Sequence, residues 1–485
     1  MKIFERFRSD DYYPWLVLTV TSLGVFLVII NIGTLNVALP EVSRHFHADA
    51  FTSSWILLSY MLVNTILILI FGQISDIFGR TKLYLIGMTI FTISSFAIGF
   101  SPNAGILIMF RVIQAVGGAI VITNTTALIT DVFPKAKLGT GLSINILIAS
   151  SAQLLGPVLG GVVAATWGWQ WVFWFNVPIG LVALVWGAFV LRRTPVARSQ
   201  EKIDLWGGAL VFVALGGLVI ALSESSELGW GSGIVLGGII LFVIFTPLFI
   251  WHERRTAWPV LDLGLFKNRG FAMANVATFL NSFSRSAVVL LFALFFQFAY
   301  RLNAFEAGLR VLPVTVGMFL ISPVAGMLTR RVSVRVLASS GIILSLIGLM
   351  LLFGVLEAEQ SYPVLACGML LIGMGTGLFM TPNTTVIMSS VPDNRRGVAN
   401  GLRSMLNNMG QVLSTAVSLM IVGLALPPRL KDVLYAGSDA VLNRTDLQLI
   451  IRGYQWALIA LAAATILALA ASLLREGRVQ RIKAN

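Results

Sequence analysis

Three arginines stand inside long apolar runs of this sequence: Arg111 in AGILIMFRVIQAVGG, Arg285 in NSFSRS, and Arg403 in GLRSMLNN. A guanidinium stays charged and offers a planar fork of donors, so it suits carboxylate, phosphate or carbonyl oxygens and does not carry protons. A charge placed in hydrocarbon costs about 2.5–3.5 kcal/mol on insertion scales, which makes each of the three a functional candidate. Amides accompany them: Asn31, Asn64, Gln114, Gln153, Asn281, Asn407, Asn408 and Gln411. An amide unpaired in lipid is costly, so these side chains either line a cavity or bond between helices. Acids are missing from the same runs. Asp76, Asp131, Glu224, Glu306, Glu357 and Asp393 all fall at ends or in loops, so proton exchange lacks its obvious carrier. His45, His47 and His252 are read as loop residues without partner spacing, and no metal site is expected. With no nucleophile, base and orienter in sight, the chain is not read as an enzyme, and no cofactor is expected. A Walker-type phosphate loop is absent too, and Gly373, Gly375 and Gly377 read as packing positions.

The elements that must hold these residues are membrane helices. The chain has 485 residues, 57% hydrophobic and 11% charged, and a mean hydropathy of +0.88, far outside the range of a soluble domain. Apolar runs this long exclude a spanning barrel and predict an all-α polytopic membrane protein. The runs give fourteen spans, near 15–38, 54–74, 83–100, 104–130, 141–165, 177–191, 205–222, 233–251, 271–298, 308–328, 334–356, 363–387, 398–423 and 451–474. The first is too long for a cleavable signal peptide and reads as a span. Of the 34 basic residues, 24 fall on one set of connecting segments and seven on the other, the remaining three being the embedded arginines. That bias predicts both termini in the cytoplasm of a cell-membrane protein. It also explains the net charge of +13 without a nucleic-acid partner. The lone Cys367 allows no disulfide within one chain.

Asn124-Thr125-Thr126 in the fourth span recurs as Asn383-Thr384-Thr385 in the twelfth, and the following spans open with Gly141-Leu142 and Gly401-Leu402. An internal repeat at this offset predicts two six-helix bundles, over 1–195 and 261–485, with a two-helix hairpin inserted over 196–260. The polar segment 427–449 is expected to be an outer loop carrying a surface helix or hairpin.

The loop GQISDIFGRTKL, with Gly72, Asp76, Gly79, Arg80 and Lys82, resembles the inner-loop signature of the major facilitator superfamily. Two glycines permit close approach and a tight turn, and Asp76 can cap a helix end or pair with basic groups as a gate opens. Gly156, Pro157, Gly160 and Gly161 in the fifth span are similar to the antiporter motif, where small residues allow close packing and the proline bends the helix. WGWQWVFWFNVPIG, with Trp171, Phe173, Asn176, Pro178 and Gly180, looks like the entry to the sixth span in the fourteen-helix drug:proton antiporter branch. The Trp167, Trp169, Trp171 and Trp174 run is expected at the outer interface. In the second half the inner-loop signature is degraded, with Gly326 kept and Arg330 where an acid would fit.

The resemblance implies a multidrug-type secondary exporter, working as a monomer by alternating access on small lipophilic or amphipathic substrates in the bilayer. It also implies protons as the coupling ion. One departure bears on that: INIGTLNVALP has Asn31 where those antiporters usually carry an aspartate. Counting about 1.5 Å per residue places Asn31 and Arg111 at a similar depth of roughly 10 Å, where they could meet. Arg111 would then donate to Asn31, Gln114 or a carbonyl, or act as a structural arginine packing the first bundle. Arg285 falls near the midplane and is the best candidate for an anionic group, and Arg403 could simply snorkel to the inner interface. The substrate pocket is expected to draw on Asn31, Asn64, Arg111, Gln114, Gln153, Asn281, Arg285, Asn408 and Gln411. Two alternatives stay open: a carrier or flippase of an anionic lipid or amphiphile, and an Asp-to-Asn variant of a proton-coupled antiporter.

Overall fold

A computed structural model describes residues 12–191, 204–256, 259, 261, 263–329, 331–356, 362–391, 396–427, 430–431 and 444–474. Among these residues, fourteen helices are long and apolar enough to cross a bilayer, as the apolar runs predict. They are α1 (Tyr13–His45), α2 (Ala50–Phe78), α3 (Arg80–Ile98), α4 (Ala104–Val132), α5 (Lys135–Trp167), α6 (Asn176–Val190, of bilayer length only together with the short helix before it), α7 (Leu205–Leu228) and α8 (Gly233–Glu253). The series continues with α9 (Arg269–Ala299), α10 (Ala304–Leu328), α11 (Val334–Val355), α12 (Tyr362–Ser389), α13 (Arg396–Ala425) and α14 (Arg444–Leu473). A one-turn helix, Trp171–Trp174, leads into α6.

Most helices run past their apolar core into polar sequence, because a helix that closes its own backbone hydrogen bonds gains nothing by stopping at the hydrocarbon edge. The starts are set by side chains that accept from orphan amides: Asp49 from Thr52 N at 2.8 Å, Asn103 from Ile106 N at 2.9 Å, and Asp204 from Gly207 N at 2.9 Å. Gly79, at φ 92°, turns the chain between α2 and α3 as a one-residue linker.

The segment expected as an outer loop over 427–449 is shorter than that. α14 begins at Arg444, seven residues before the expected 451. Asp446, Ile450, Gly453, Tyr454 and Ala457 are buried at helical spacing, so one face of this polar stretch already packs. Residues 432–443 of that segment lie outside the described residues.

The chain divides into two compact units: Met1–Leu261 with Phe292–Arg310 and Pro427–Val441, and Asp262–Leu291 with Val311–Leu426 and Leu442–Asn485. In the first, α1 packs on α5 and α4, α2 and α3 both pack on α4, α6 lies on α1 and α3, and the α7–α8 hairpin docks on α2. In the second, α11 packs on α12 and α14, and α13 on α14. The pairs α3–α4 and α3–α6 thus recur, eight helices on, as α11–α12 and α11–α14, in step with the Asn-Thr-Thr repeat. Glycines make close crossings in both: a Cβ on Gly117 would stand 2.7 Å from Gly87 O, and one on Gly375 would stand 2.3 Å from Gly341 O. The repeated asparagines themselves differ. Asn124 donates to Ile120 O on its own helix, whereas Asn383 donates to Ala274 O and Thr278 Oγ1 on α9.

Candidate functional site

Asn31 on α1 and Arg111 on α4, eighty residues apart in sequence, are hydrogen-bonded in the first unit: Arg111 Nη1 donates to Asn31 Oδ1 at 2.6 Å. The same Nη1 donates to Gln114 Oε1 at 2.7 Å, one helical turn on, and Nε donates to the carbonyl of Ile56 on α2 at 3.2 Å. Gln114 Nε2 passes the chain on to Ser95 Oγ at 2.7 Å, and Ser95 donates to Phe91 O at 2.6 Å. Tyr60 lies under the guanidinium, with Cζ 4.2 Å from the ring centroid, and Phe173 stands at 5.9 Å. Arg111 and Gln114 are wholly buried and Asn31 is 1% exposed. Charge-assisted hydrogen bonds contribute about 1.5–3 kcal/mol each, so the three that Arg111 makes can offset the cost of embedding it.

Sequence reading named Asn31, Arg111 and Gln114 but missed Tyr60 and Ser95. The signal for Tyr60 was its place one turn before Asn64 on the same helix face. Asn64 itself is buried and donates to Ala115 O at 3.3 Å, so it ties α2 to α4 just beyond the network.

The second unit holds the other group. Ser282 Oγ donates to Asn407 O at 2.7 Å and Ala287 N donates to Ser414 Oγ at 3.1 Å, which fixes the register of α9 on α13. Gly410 makes the crossing close, since a Cβ there would stand 2.6 Å from Phe279 O. Arg285 falls between the two bonded residues of α9, as Asn408 and Gln411 fall between those of α13, and Asn281 precedes it by one turn on the same face of α9. Arg285 is half-buried and has no hydrogen bond or ion pair to any described residue. The side chains of Asn281, Asn408 and Gln411 likewise make none among the described residues, and nor does half-buried Gln153 on α5. The two arginines therefore differ in kind. Arg111 is sealed and engaged; Arg285 is half-buried and unengaged by any described residue. Arg403, also half-buried, bonds its neighbour Ser404 Oγ at 3.4 Å.

The gate motifs divide in the same way. Of the inner-loop signature, the surroundings of Gly72 and Asp76 lie outside the described residues, as does Arg330 of the degraded second copy. Gly79 makes the tight turn, Lys82 is exposed, and Arg80 pairs with Asp131 at the far end of α4 at 2.5 Å. The small residues of α5 form a two-sided seam. A Cβ on Gly156 would stand 2.9 Å from Gly33 Cα, and one on Gly160 only 2.3 Å from Thr34 O, both on α1. Gly161 faces away, onto the first turn of α10, where a Cβ would stand 2.5 Å from Ala304 O and from Phe305 Cα. Pro157 reaches the same turn, since a Cβ on Gly308 would lie 2.4 Å from its carbonyl. Gln297 near the end of α9 donates to Val37 O on α1 at 3.0 Å. Sequence reading missed Gln297, because an amide near a helix end is ordinary.

The histidine assignment needs correction. His252 is in the last turn of α8, where its Nε2 lies 2.8 Å from Asp204 Oδ1 and 3.0 Å from Thr256 Oγ1. An antiparallel hairpin brings the start of α7 beside the end of α8, so residues 48 apart meet. Among the four tryptophans, Trp167 and Trp171 are exposed, but Trp169 is buried against His45 and Phe46, and Trp174 donates to Phe96 O at 3.0 Å.

Fourteen spans in two units with recurring helix pairings, enclosing polar groups, define a polytopic helical membrane protein. The sequence model of the Major Facilitator Superfamily matches residues 21–267, 205–414 and 274–484. The chain belongs to the Major Facilitator Superfamily. It is 32% identical over 403 residues to the multidrug resistance protein Stp of Mycobacterium tuberculosis, covering 83% of this chain and 74% of that one. It is 30% identical to the riboflavin transporter RibZ of Clostridioides difficile, over 83% of this chain and 87% of the relative. The tetracenomycin C resistance and export protein of Streptomyces glaucescens is 29% identical, over 87% and 77%. Among solved structures, a bacterial homologue of the human lysosomal transporter Spinster, inward-facing and unoccupied, superposes with a TM-score of 0.67 at 15% identity, covering 96% and 97% of the two chains. An auto-inhibited peptide transporter of the POT family gives 0.66 at 14% identity, over 98% and 99%.

Proposed function

We propose that this transporter exports lipophilic or amphipathic compounds across the cell membrane, as a monomer with cytoplasmic termini, by alternating access of its two six-helix bundles. Within that class it takes neutral or anionic substrates in preference to lipophilic cations. The observation that carries the preference is Arg285: a permanent charge within a span, half-buried, with no described partner. A cation entering beside it meets repulsion in a low-dielectric surrounding, whereas a carboxylate or phosphate gains a forked hydrogen bond. Relatives named for multidrug resistance and for export of tetracenomycin C support a substrate range of this kind.

Counterflow in proteoliposomes tests both parts. Labelled substrate should accumulate transiently against unlabelled substrate trapped inside, which a receptor cannot achieve. An anionic amphiphile should compete more strongly than a quaternary ammonium of similar size, and Arg285→Ala should erase that difference. Strong competition by the quaternary cation, unaffected by Arg285→Ala, would reject the preference.

A second reading rests on Asn31. Its Oδ1 lies 2.6 Å from Arg111 Nη1, a position from which an aspartate oxygen in its stead would pair with the same guanidinium. Asn31→Asp is nearly isosteric, so on this reading it gives transport driven by a pH gradient that the Asn31 protein lacks. Equal pH-driven rates in the two proteins would reject it.

A further inference from the structure

The Arg111 network has too few acceptors. Asn31 Oδ1, Gln114 Oε1 and the Ile56 carbonyl each take a hydrogen bond from the guanidinium, and Ser95 Oγ takes one from Gln114. Three buried groups of the same cluster that can donate have no partner among the described residues: Arg111 Nη2, Asn31 Nδ2 and Tyr60 Oη. They belong together, since Asn31 bonds the guanidinium and the Tyr60 ring lies 4.2 Å from its Cζ. Each of the three residues is at most 1% exposed. Among the described residues none of the network's members forms an ion pair, so the cluster bears a full positive charge. Its surplus is therefore of two kinds at once, donors without acceptors and charge without counter-charge. A water molecule brings as many donors as acceptors and no charge. A small anion answers both.

We propose that Arg111, Asn31 and Tyr60 form a buried site for a monovalent anion of chloride size, which serves as the counter-ion that a first-span carboxylate would otherwise supply. The sealed position selects size, because an organic anion could not be held where no side chain is exposed. The assignment is independent of what the transporter exports and of Arg285.

Thermal unfolding of the purified full chain in detergent, followed by tryptophan fluorescence, tests it. Sodium chloride and sodium gluconate are compared at equal ionic strength, with bromide and sulfate as further arms. A bound anion raises the unfolding midpoint in proportion to the logarithm of chloride concentration once the site fills. Bromide should act like chloride, and gluconate should not. Asn31→Asp places a covalent negative charge against Arg111, so its midpoint should lose the chloride response and acquire dependence on pH. Equal midpoints in chloride and gluconate would overturn the proposal, as would a chloride response of the same size in Asn31→Asp. Should the variant not be recovered, the native protein still decides. A shift linear in salt and larger for sulfate than for chloride is general exclusion from the surface and counts against the site.

Discussion

Gly161→Ala isolates one side of the seam between α5 and its neighbours. The added Cβ would stand 2.5 Å from two backbone atoms of α10, where ordinary contact begins at 3.4 Å, so the helices must part by about 0.9 Å, the difference between the two distances. Backbone cannot swing aside as a side chain does. Overpacking of this kind costs about 1–3 kcal/mol. In a carrier working by alternating access, that cost falls on the state in which α5 and the first turn of α10 touch, and is relieved wherever they separate. The ratio of the two states should then shift by roughly 5–150-fold.

Ala307, fully buried beside this turn, reports the shift when replaced by cysteine, after the exposed native Cys367 has been changed to Ala. The rate of Ala307→Cys labelling by a water-soluble maleimide tracks the open population when opening is fast relative to reaction. Gly161→Ala should raise that rate by the same factor. Gly160→Ala is the control. Lying about 100° around the helix, it strains the α1 contact at Thr34 instead and should leave labelling of the cysteine at 307 nearly unchanged. Equal labelling in all three backgrounds, or an equal increase in both variants, would refute the reasoning.

Gly160→Ala should lower the thermal midpoint in detergent, whereas Gly237→Ala on α8, where a Cβ meets nothing within 4 Å, should raise it through the helix propensity of alanine, about 0.5–1 kcal/mol. Asp204→Ala should lower the midpoint more than His252→Ala, because it removes the α7 cap, about 0.5–2 kcal/mol, as well as the bond to His252. Asp76→Ala should reduce turnover in proteoliposomes more than ligand binding, as expected of a gate residue, and an unchanged transport rate would contradict that role.

Architecture was legible because hydrocarbon thickness imposes one length on every span, so fourteen apolar runs became fourteen helices. Helix ends were less so. Hydropathy marks where lipid stops, not where backbone hydrogen bonding stops, and α14 extends into Asp446 and Gln448 for that reason. Depth counting placed Asn31 and Arg111 level, and a small inventory of polar groups left them few other partners. It could not place Tyr60, whose ring passes for ordinary apolar packing until the guanidinium above it is seen. The Asp204–His252 pair was within reach, since any antiparallel hairpin joins those two ends, but reading His252 as a loop residue concealed it. Gly161 differs from Gly160 only by an angle about the α5 axis, and a motif of small residues carries no information on which neighbour each one meets.

An arginine within a span is also an electrical element. Each elementary charge carried through the whole membrane field gains or loses about 2.3 kcal/mol per 100 mV. If resetting the carrier moved Arg285 through a third of that field, the bias at 100 mV would be about 0.8 kcal/mol, roughly fourfold in rate. Loading an anion beside Arg285 cancels the moving charge, so the empty and loaded carriers would answer to voltage differently. A cell's resting potential would then set the pace of one half of the transport cycle and leave the other half alone.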